Sequence, residues 1–295
     1  MELKANILMV IVTMFWGLSY TFMVIGLETL DVFNTVALRS FIAFVIAALI
    51  FYKKLFKINK KTIYFAMIQG FLLVFTVGLP MFGLSTTSAS NAGFLVSLTV
   101  VLVPILASII DKQLPSKTVS IAIICTMIGI SVLTINSTLT FQLGDIYCLL
   151  TAFAYSIYII INGKITKSVD SISFGIYQMG FATIIGGVFC LLFESPQIPT
   201  TSSAWIAVLG LGILCSAFGF IGQTVAQQHT SATATSLIFS LEPIFAAIFA
   251  VIFLGEIVTI KLLIGGLFIF GGNIIAQLEH FQHIRIVKKA SAKTV

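Results

Sequence analysis

Residues 232–254 read ATATSLIFSLEPIFAAIFAVIFL, and the single charged side chain among them, Glu242, directly precedes Pro243. The stretch has the length of about 20 apolar residues that a helix needs to cross about 30 Å of hydrocarbon. Glu242 lies near its centre, where a charge costs about 3 kcal/mol, so such a residue pairs, faces a cavity or takes up a proton. This stretch therefore predicts a membrane-spanning helix with a functional acid.

The whole chain has the composition of a membrane protein. Apolar residues make up 59% of it and charged residues 9%, against about half and about a quarter in soluble domains. The apolar windows are continuous rather than alternating, which favours helices over a β-barrel. The first window is too long for a signal-peptide core and lacks a cleavage pattern after it, so we expect it to stay attached. Ten spans are predicted, near residues 5–27, 33–52, 63–84, 88–110, 118–135, 144–162, 171–193, 203–226, 232–254 and 259–278.

The distribution of basic residues predicts the orientation of the spans. With the N-terminus in the cytoplasm, every Lys and Arg except Lys261 and Arg39 falls on the cytoplasmic side, as the positive-inside rule requires. Both termini are then cytoplasmic, and residues 279–295 form a basic tail. The net charge of +6 indicates contact with anionic lipid head groups rather than with nucleic acid.

No metal or cofactor site is expected from the cysteines and histidines. The four cysteines fall inside predicted spans without a CxxC spacing, which is typical of small core residues. His280 and His283 lie in the tail without a further ligand nearby. A structural zinc site takes four ligands, so we interpret this pair as part of a basic interfacial tail.

The two halves of the sequence resemble each other. A shift of 143 residues lays 87–135 on 230–278 without gaps, so that Ser97-Leu98 meets Ser240-Leu241 and Gly129 meets Gly272. A shift of 139 lays spans one and two on spans six and seven. A repeat of five helices must place its second copy upside down in the membrane, as in many secondary transporters. We therefore predict inverted repeats at 5–135 and 144–278, with substrate at their interface.

The repeats differ where the chemistry is expected. Thr99 occupies the position that matches Glu242, and Gln178 the position that matches Arg39, so one half carries the acid and one half the base. Pro104 lies four residues beyond the position that matches Pro243. Because an internal proline breaks or kinks a helix, we expect both repeats to contain a broken helix, at different depths.

Several motifs together resemble the EamA family of the drug/metabolite transporter superfamily. They are Phe15-Trp16-Gly17, Ala37-Leu38-Arg39, residues 88–95 leading to Pro104, Gly144-Asp145, and residues 240–243 leading to Leu254-Gly255-Glu256. The resemblance covers residues 5–278. It implies ten helices around a central cavity lined by the first four helices of each half, with amino acids, related metabolites or drugs as exported substrates.

Glu242 and Arg39 are the principal candidates for function. A carboxylate at mid-membrane that can take up a proton suits a proton-coupled carrier; the alternative is a carboxylate held by hydrogen bonds beside a proline kink. Arg39 lies about 10 Å inside span two. It could bind a substrate carboxylate with two hydrogen bonds, or extend outward towards Asp31 and the interface.

The remaining candidates are aromatic, amide and helix-bending residues. Aromatic rings could line the cavity or pack between helices, at Trp16, Phe94, Tyr155 and Tyr158. Amides could orient a ligand or join helices, at Gln69, Asn91, Gln178 and Gln223. Breaks or hinges are expected at Gly78, Pro80, Pro104 and Pro243.

These features favour a secondary transporter in the bacterial cytoplasmic membrane that exports small metabolites such as amino acids, with proton coupling through Glu242. Multidrug efflux and passive exchange are alternatives within the carrier class. An intramembrane enzyme would need a nucleophile, base or metal ligands converging within the spans, and the spans contain no histidine. A channel would show rings of polar groups from symmetric subunits. The expected partners are a small-molecule substrate and lipid, and a monomer is favoured.

Overall fold

The computed structural model describes residues 2–56, 59–110, 112, 117–134, 142–272, 274 and 275, and all regular elements among them are helical. In the first half these are α1 Glu2–Leu27, α2 Val32–Ile50, α3 Tyr52–Leu55, α4 Lys60–Gly83, α5 Ala89–Val96, α6 Thr99–Ile110 and α7 Lys117–Thr134. The second half begins with α8 Leu143–Ile165, α9 Ser171–Phe193, α10 Ser202–Leu209, a π-helical segment Gly210–Phe218, and α11 Gly219–Gln227. It continues with α12 Ala232–Ile238, a 3₁₀ turn Phe239–Leu241, α13 Glu242–Leu254 and α14 Ile260–Gly272.

Eight helical stretches are long and apolar enough to cross a membrane within these described ranges. They are α1, α2, α4, α5 with α6, α8, α9, α10 through α11, and α12 through α13. The predicted spans five and ten contain the shorter apolar helices α7 and α14, so a ten-span count stays a prediction. The predicted tail, with His280 and His283, lies outside the described residues.

The membrane-crossing helices end at two faces, each held together by hydrogen bonds between connections. At the first face, which carries the connections 28–31, 84–88, 194–201 and 255–259, Glu194 accepts hydrogen bonds from the Phe33 and Asn34 amides at 2.9 and 2.8 Å. At the second face, which carries 51–56, 166–170 and 228–231, Lys54 pairs with Asp170 at 2.6 Å. The first contact joins α2 to the end of α9, and the second joins α3, which follows α2 directly, to the start of α9.

Helix crossings recur in matching pairs. α4 packs against α8 and α9, while the stretch from α10 to α11 packs against α1 and α2. Gly70 of α4 lies on the Gln178 carbonyl, and Gly212 of the π segment lies on the Arg39 carbonyl. Gln178 and Arg39 are the positions that the shift of 139 equates. Glycine allows such close backbone approach, because a Cβ at either site would come within 3.0 Å of the facing helix.

A second matching pair joins α7 to α14. Gly129 lies against the Gly265 carbonyl and Ile269, while Gly272 lies against the Ala122 carbonyl and Thr126. The shift of 143 converts each residue of the first contact into its counterpart in the second. The contact therefore has local two-fold character, in which each helix presents a glycine to the same point on the other.

The helix breaks lie at matching positions, and the expectation of different depths was wrong. α5 ends at Val96 and α6 begins at Thr99, so the first break is at Ser97-Leu98, and α6 runs through Pro104. The second break is the 3₁₀ turn at residues 239–241. Hydroxyl groups explain the first position: Ser97 Oγ donates to the Phe94 carbonyl and Thr99 Oγ1 to the Val96 carbonyl, both at 2.6 Å. These bonds satisfy carbonyl groups at the point where the helix is interrupted. That point lies one turn before the carbonyl group with which the proline ring would clash.

Candidate functional site

A cavity of about 40 Å³ lies among the helices. Its volume exceeds the roughly 10–15 Å³ that a water molecule requires and is far below the roughly 300–1,000 Å³ of small-molecule pockets. In this conformation the cavity therefore has room for water but not for a metabolite. The lining consists of Trp16, Ser19, Tyr20, Met23, Arg39, Thr76, Val77, Pro80, Val96, Thr151, Tyr155, Phe220 and Glu242.

Glu242 reaches the cavity because the helix is broken immediately before it. The 3₁₀ turn ends at Leu241, and Glu242 and Pro243 form the first residues of α13. A proline is tolerated in a first helical turn, where its missing amide is not needed. The carboxyl group is 8% exposed and accepts a hydrogen bond from the Tyr20 hydroxyl at 3.1 Å. The turn therefore places an acid and its hydrogen-bond donor on one wall of the cavity.

Arg39 enters the same cavity from α2 and is buried, with 1% of its surface exposed. Its Nε donates a hydrogen bond to Ser216 Oγ at 2.9 Å, whereas its Nη1 has no partner within the described residues. Ser216 belongs to the π segment, and π-helical turns are frequent at functional sites. The structure thus directs Arg39 inward to Ser216 and the cavity, away from Asp31.

The base and the acid line one cavity without forming an ion pair with each other: within the described ranges, the ion pair is Lys54 with Asp170. Arg39 therefore has donors available for an anion, and Glu242 has a carboxyl oxygen available for a cation or a proton. An arginine fork matches the geometry of a carboxylate. Chemically, the cavity lining offers a donor group that suits a carboxylate and an acceptor group that suits an ammonium group.

An aromatic cluster closes the cavity towards the second face. The Trp16 ring lies 5.7, 5.0 and 4.9 Å from the ring centres of Tyr155, Phe220 and Phe239. Its indole nitrogen donates to the Cys215 carbonyl at 2.9 Å, again in the π segment. The rings meet mainly edge to face, the geometry that aromatic pairs prefer.

The structure separates the sequence-predicted candidates into three places. Trp16, Arg39, Tyr155, Glu242 and Pro80 line the cavity. Another buried group lies between the aromatic cluster and the second face, and its members are Gln69, Tyr158, Gln178 and Gln223. The others lie elsewhere: Phe94 in an apolar groove on α13 and α14, Asn91 half-buried near the start of α5, and Gly78 against Val36 within a continuous α4.

Several residues in or beside the cavity were not among the sequence-predicted candidates. Tyr20 stands one helical turn after Trp16 and Phe239 three residues before Glu242, so helical spacing from the recognised residues could have found both. Ser216 carried no such signal, because a π segment changes which side chains share a face.

The carboxyl group of Asp170, at the second face, has a displaced pKa. Partial burial opposes its ionisation, but hydrogen bonds from Lys54 and Ser173 outweigh this and lower the pKa of the carboxyl below its ordinary value of 3.8. Asp170 also caps α9 through the Ser173 amide at 2.9 Å. Within the described residues, no group of three or more His, Cys, Asp or Glu side chains lies close enough to hold a metal ion.

Comparisons with known proteins agree with this arrangement. The model of the EamA-like transporter family matches residues 3–135 and 142–277. An uncharacterized transporter of Archaeoglobus fulgidus is 24% identical over 292 residues, covering 96% of this chain and all of that protein. The uncharacterized transporter YoaV of Bacillus subtilis is 23% identical over 273 residues, covering 88% and 92%. A solved crystal structure shares the fold, with a TM-score of 0.69 and 15% identity over 93% of this chain and 96% of the other.

Proposed function

The chain belongs to the EamA-like transporter family, and from this premise we propose that it carries small zwitterionic metabolites such as amino acids by alternating access. It is a multi-pass membrane protein, and in bacteria its place is the cell membrane. The substrate class, the direction and the coupling are the parts of the function that we propose.

We propose this substrate class because Arg39 and Glu242 face one cavity without forming an ion pair with each other. Two buried opposite charges that do not neutralise each other are costly without a partner. An amino acid supplies both partners, since its carboxylate suits the guanidinium and its ammonium group suits the carboxylate and the aromatic faces nearby.

The matched helix crossings support the alternating-access mechanism. Gly70 and Gly212 occupy corresponding crossings, as do Gly129 and Gly272, which favours two inverted repeats from 5 to 135 and from 144 to 278. Inverted repeats of this kind can exchange conformations around a site at their interface. The cavity then belongs to one of the two states that this exchange interconverts.

We also propose that Glu242 couples export to protons. Its carboxyl group is buried, and Tyr20 is its hydrogen-bond donor. An uncompensated charge at this depth is expensive, so the acid exchanges a proton or a substrate ammonium group rather than standing alone. Binding of one ligand then excludes the other, which is the basis of proton-driven export.

The aromatic cluster favours one alternative. Trp16, Tyr155 and Phe239 surround the position next to Glu242, and aromatic faces beside an acid also suit organic cations. Efflux of cationic drugs would use Glu242 and the rings while leaving Arg39 without a role. Passive exchange of a metabolite would use Arg39 and leave flux independent of the proton gradient.

The test combines binding with transport. The purified protein is screened with amino acids for thermal stabilisation, which reports ligand binding to the folded state, and each stabilising amino acid is compared with its methyl ester and its N-acetyl derivative. We expect the parent amino acid to bind and both derivatives to fail, and counterflow in liposomes to follow the same order. Equal stabilisation by the methyl ester, lost in Glu242→Gln, would instead favour cation efflux.

A further inference from the structure

Five buried amide side chains extend from the aromatic cluster towards the second face, and we name them the amide column. Its members are Gln69, Asn162, Gln178, Gln223 and Gln227, each without exposed surface. Gln223 is a neighbour of Tyr155 at the deep end, and Gln227 ends α11 at the second face. The column thus begins at the aromatic cluster, on the side away from the cavity, and runs towards the second face.

The hydrogen bonding of the column is incomplete. The Tyr158 hydroxyl donates to Gln178 Oε1 at 2.9 Å, and Asn162 Nδ2 donates to Gln227 Oε1. Three polar atoms have no partner within the described part of the chain: Gln69 Oε1, Asn162 Oδ1 and Gln178 Nε2. Gln223 lies beside Tyr155, but neither of its side-chain polar atoms forms a hydrogen bond of standard geometry there. Buried amides rarely stay unpaired. Their concentration in one column indicates a place that receives water or the polar groups of a ligand.

The column corresponds to the cavity under the internal repeat. The cavity residues Trp16, Ser19, Met23 and Arg39 become Tyr155, Tyr158, Asn162 and Gln178 under the shift of 139. Those four residues form the column or contact its members. Trp16 and Tyr155 belong to the aromatic cluster itself. Ser19, Met23 and Arg39 lie on its first-face side, and Tyr158, Asn162 and Gln178 lie on its second-face side.

We propose that the amide column is a second binding chamber, hydrated and lined by neutral hydrogen-bonding groups, which opens at the second face. This inference rests on the alternating-access part of the proposed function. When the two repeats exchange conformations, the helices around the cavity pack together as those around the column do in this structure. The column then opens as the cavity does in this structure. Amides offer donors and acceptors without charge, so the chamber accepts water, hydroxyl, amide or carboxyl groups on the way to that face.

Gln227 holds the second-face end of this chamber closed. It joins α11 to α8 through two hydrogen bonds, one accepted from Asn162 and one donated by its Nε2 to the Ile159 carbonyl at 3.2 Å. Both lie near the second face, where α8 ends at Ile165 and α11 ends at Gln227. Opening the chamber requires that these bonds separate.

Thiol accessibility tests the chamber without any substrate. The variant Gln223→Cys is treated in sided membrane vesicles with a membrane-impermeant methanethiosulfonate that carries a trimethylammonium group, and wild-type protein with its native cysteines gives the background. Ile221→Cys is the matched control, because Ile221 lies on the same helix but packs into an apolar cluster with Ala47 and Ile176. We expect Gln223→Cys to react from the second face and Ile221→Cys to remain at background.

The hydrogen bonds of Gln227 provide a second test of the chamber. Adding Gln227→Leu removes two hydrogen bonds while keeping the side-chain size, so we expect labelling of Gln223→Cys to accelerate at least about fivefold, as the net contribution of two hydrogen bonds implies. Background labelling from both faces, or labelling from the first face alone, would overturn the chamber. If Gln223→Cys does not insert, Gln178→Cys replaces it with the same expectations. Because no transport is measured, failure here leaves zwitterion counterflow standing, and failure of counterflow leaves the labelling standing.

Discussion

Arg39 is held by one hydrogen bond from Nε to Ser216, while its Nη1 is without a partner among the described residues. This geometry leaves one edge of the guanidinium available for a substrate carboxylate. Arg39→Lys keeps the charge but removes the planar fork. We expect affinity for the amino acid to fall about tenfold or more, since hydrogen bonds to charged groups contribute about 1.5–3 kcal/mol.

The control for this prediction is Ser216→Ala, which removes the bond to Nε and leaves the fork intact. Titration of thermal stabilisation with the amino acid measures both variants. A smaller loss of affinity in Ser216→Ala than in Arg39→Lys agrees with substrate binding by the guanidinium. Unchanged affinity in Arg39→Lys would show that the fork does not contact substrate.

Glu242 is predicted to carry the coupling proton. Glu242→Gln keeps the shape of the side chain and can still accept the hydrogen bond from Tyr20, but it cannot gain or lose a proton. We expect flux driven by a pH gradient to be abolished in liposomes. Tyr20→Phe is the matched control, because it removes the hydrogen bond and keeps the titrating group, so gradient-driven flux should persist at a changed rate. Full gradient-driven flux in Glu242→Gln would end the coupling role.

The Lys54 and Asp170 pair predicts a small pH dependence of stability. The pKa of Asp170 is lowered in the folded protein, so this stabilisation is fully present above the unfolded value and is lost as the pH falls through the folded value. The pair is about 40% exposed, and exposed pairs contribute about 0.2–1 kcal/mol. Asp170→Asn keeps a good helix cap while removing the charge. Thermal unfolding from pH 6 down to below 3.8 should show a wild-type loss that this variant lacks.

At the scale of helices, the glycine crossings determine how closely the two halves approach. A Cβ at Gly70 would lie 2.6 Å from Phe181 Cβ, and one at Gly212 would lie 2.7 Å from Ile42 Cγ2. We expect Gly70→Ala and Gly212→Ala each to destabilise the protein by about 1–3 kcal/mol, the usual effect of overpacking. Gly187→Ala in α9 is the control, since nothing lies within 4 Å of its added Cβ. Denaturation of the purified variants measures the difference, and equal stability of all three would contradict tight crossings.

Sequence patterns predicted the helices well because hydrocarbon imposes a simple rule of length and apolar content. They also found Glu242 and Arg39, since charges stand out among apolar neighbours. The position of the first helix break was not predictable from Pro104 alone, because the hydroxyls of Ser97 and Thr99 determine where the chain opens. The π segment has no comparable signature in the sequence, and with it the partner Ser216 was missed.

Connections between the helices were the least predictable part. Glu194 caps α2, and Glu256 accepts a hydrogen bond from the Ala89 amide at 2.8 Å, at the start of α5. Both acids stand far in sequence from the helices they cap, so local capping rules could not assign them. A carboxylate at a helix N-terminus is favourable through the exposed amides and the helix dipole. Such caps join the two halves at the first face.

At the scale of the molecule, the two faces differ in chemistry. At the first face, the carboxylates of Glu194 and Glu256 cap helices of the other half. At the second face, Asp170 caps its own helix and pairs with Lys54, and neutral side chains make a further contact. The predicted orientation places the second face in the cytoplasm, because most of the lysines fall in its connections. Because the two faces differ, a carrier built from inverted repeats can bind its substrate at one face and release it at the other within one transport cycle.

Sided labelling tests this orientation. Ser85 is an exposed residue of the first face and Lys167 an exposed residue of the second, so single cysteines there report the location of each face. In intact cells, a membrane-impermeant thiol reagent should label Ser85→Cys and spare Lys167→Cys, and inside-out vesicles should give the reverse. The reverse pattern in cells would mean that the charge distribution does not determine the topology. It would also place the amide column on the outer side of the aromatic cluster. The neutral chamber of the proposed exporter would then open towards the outside of the cell.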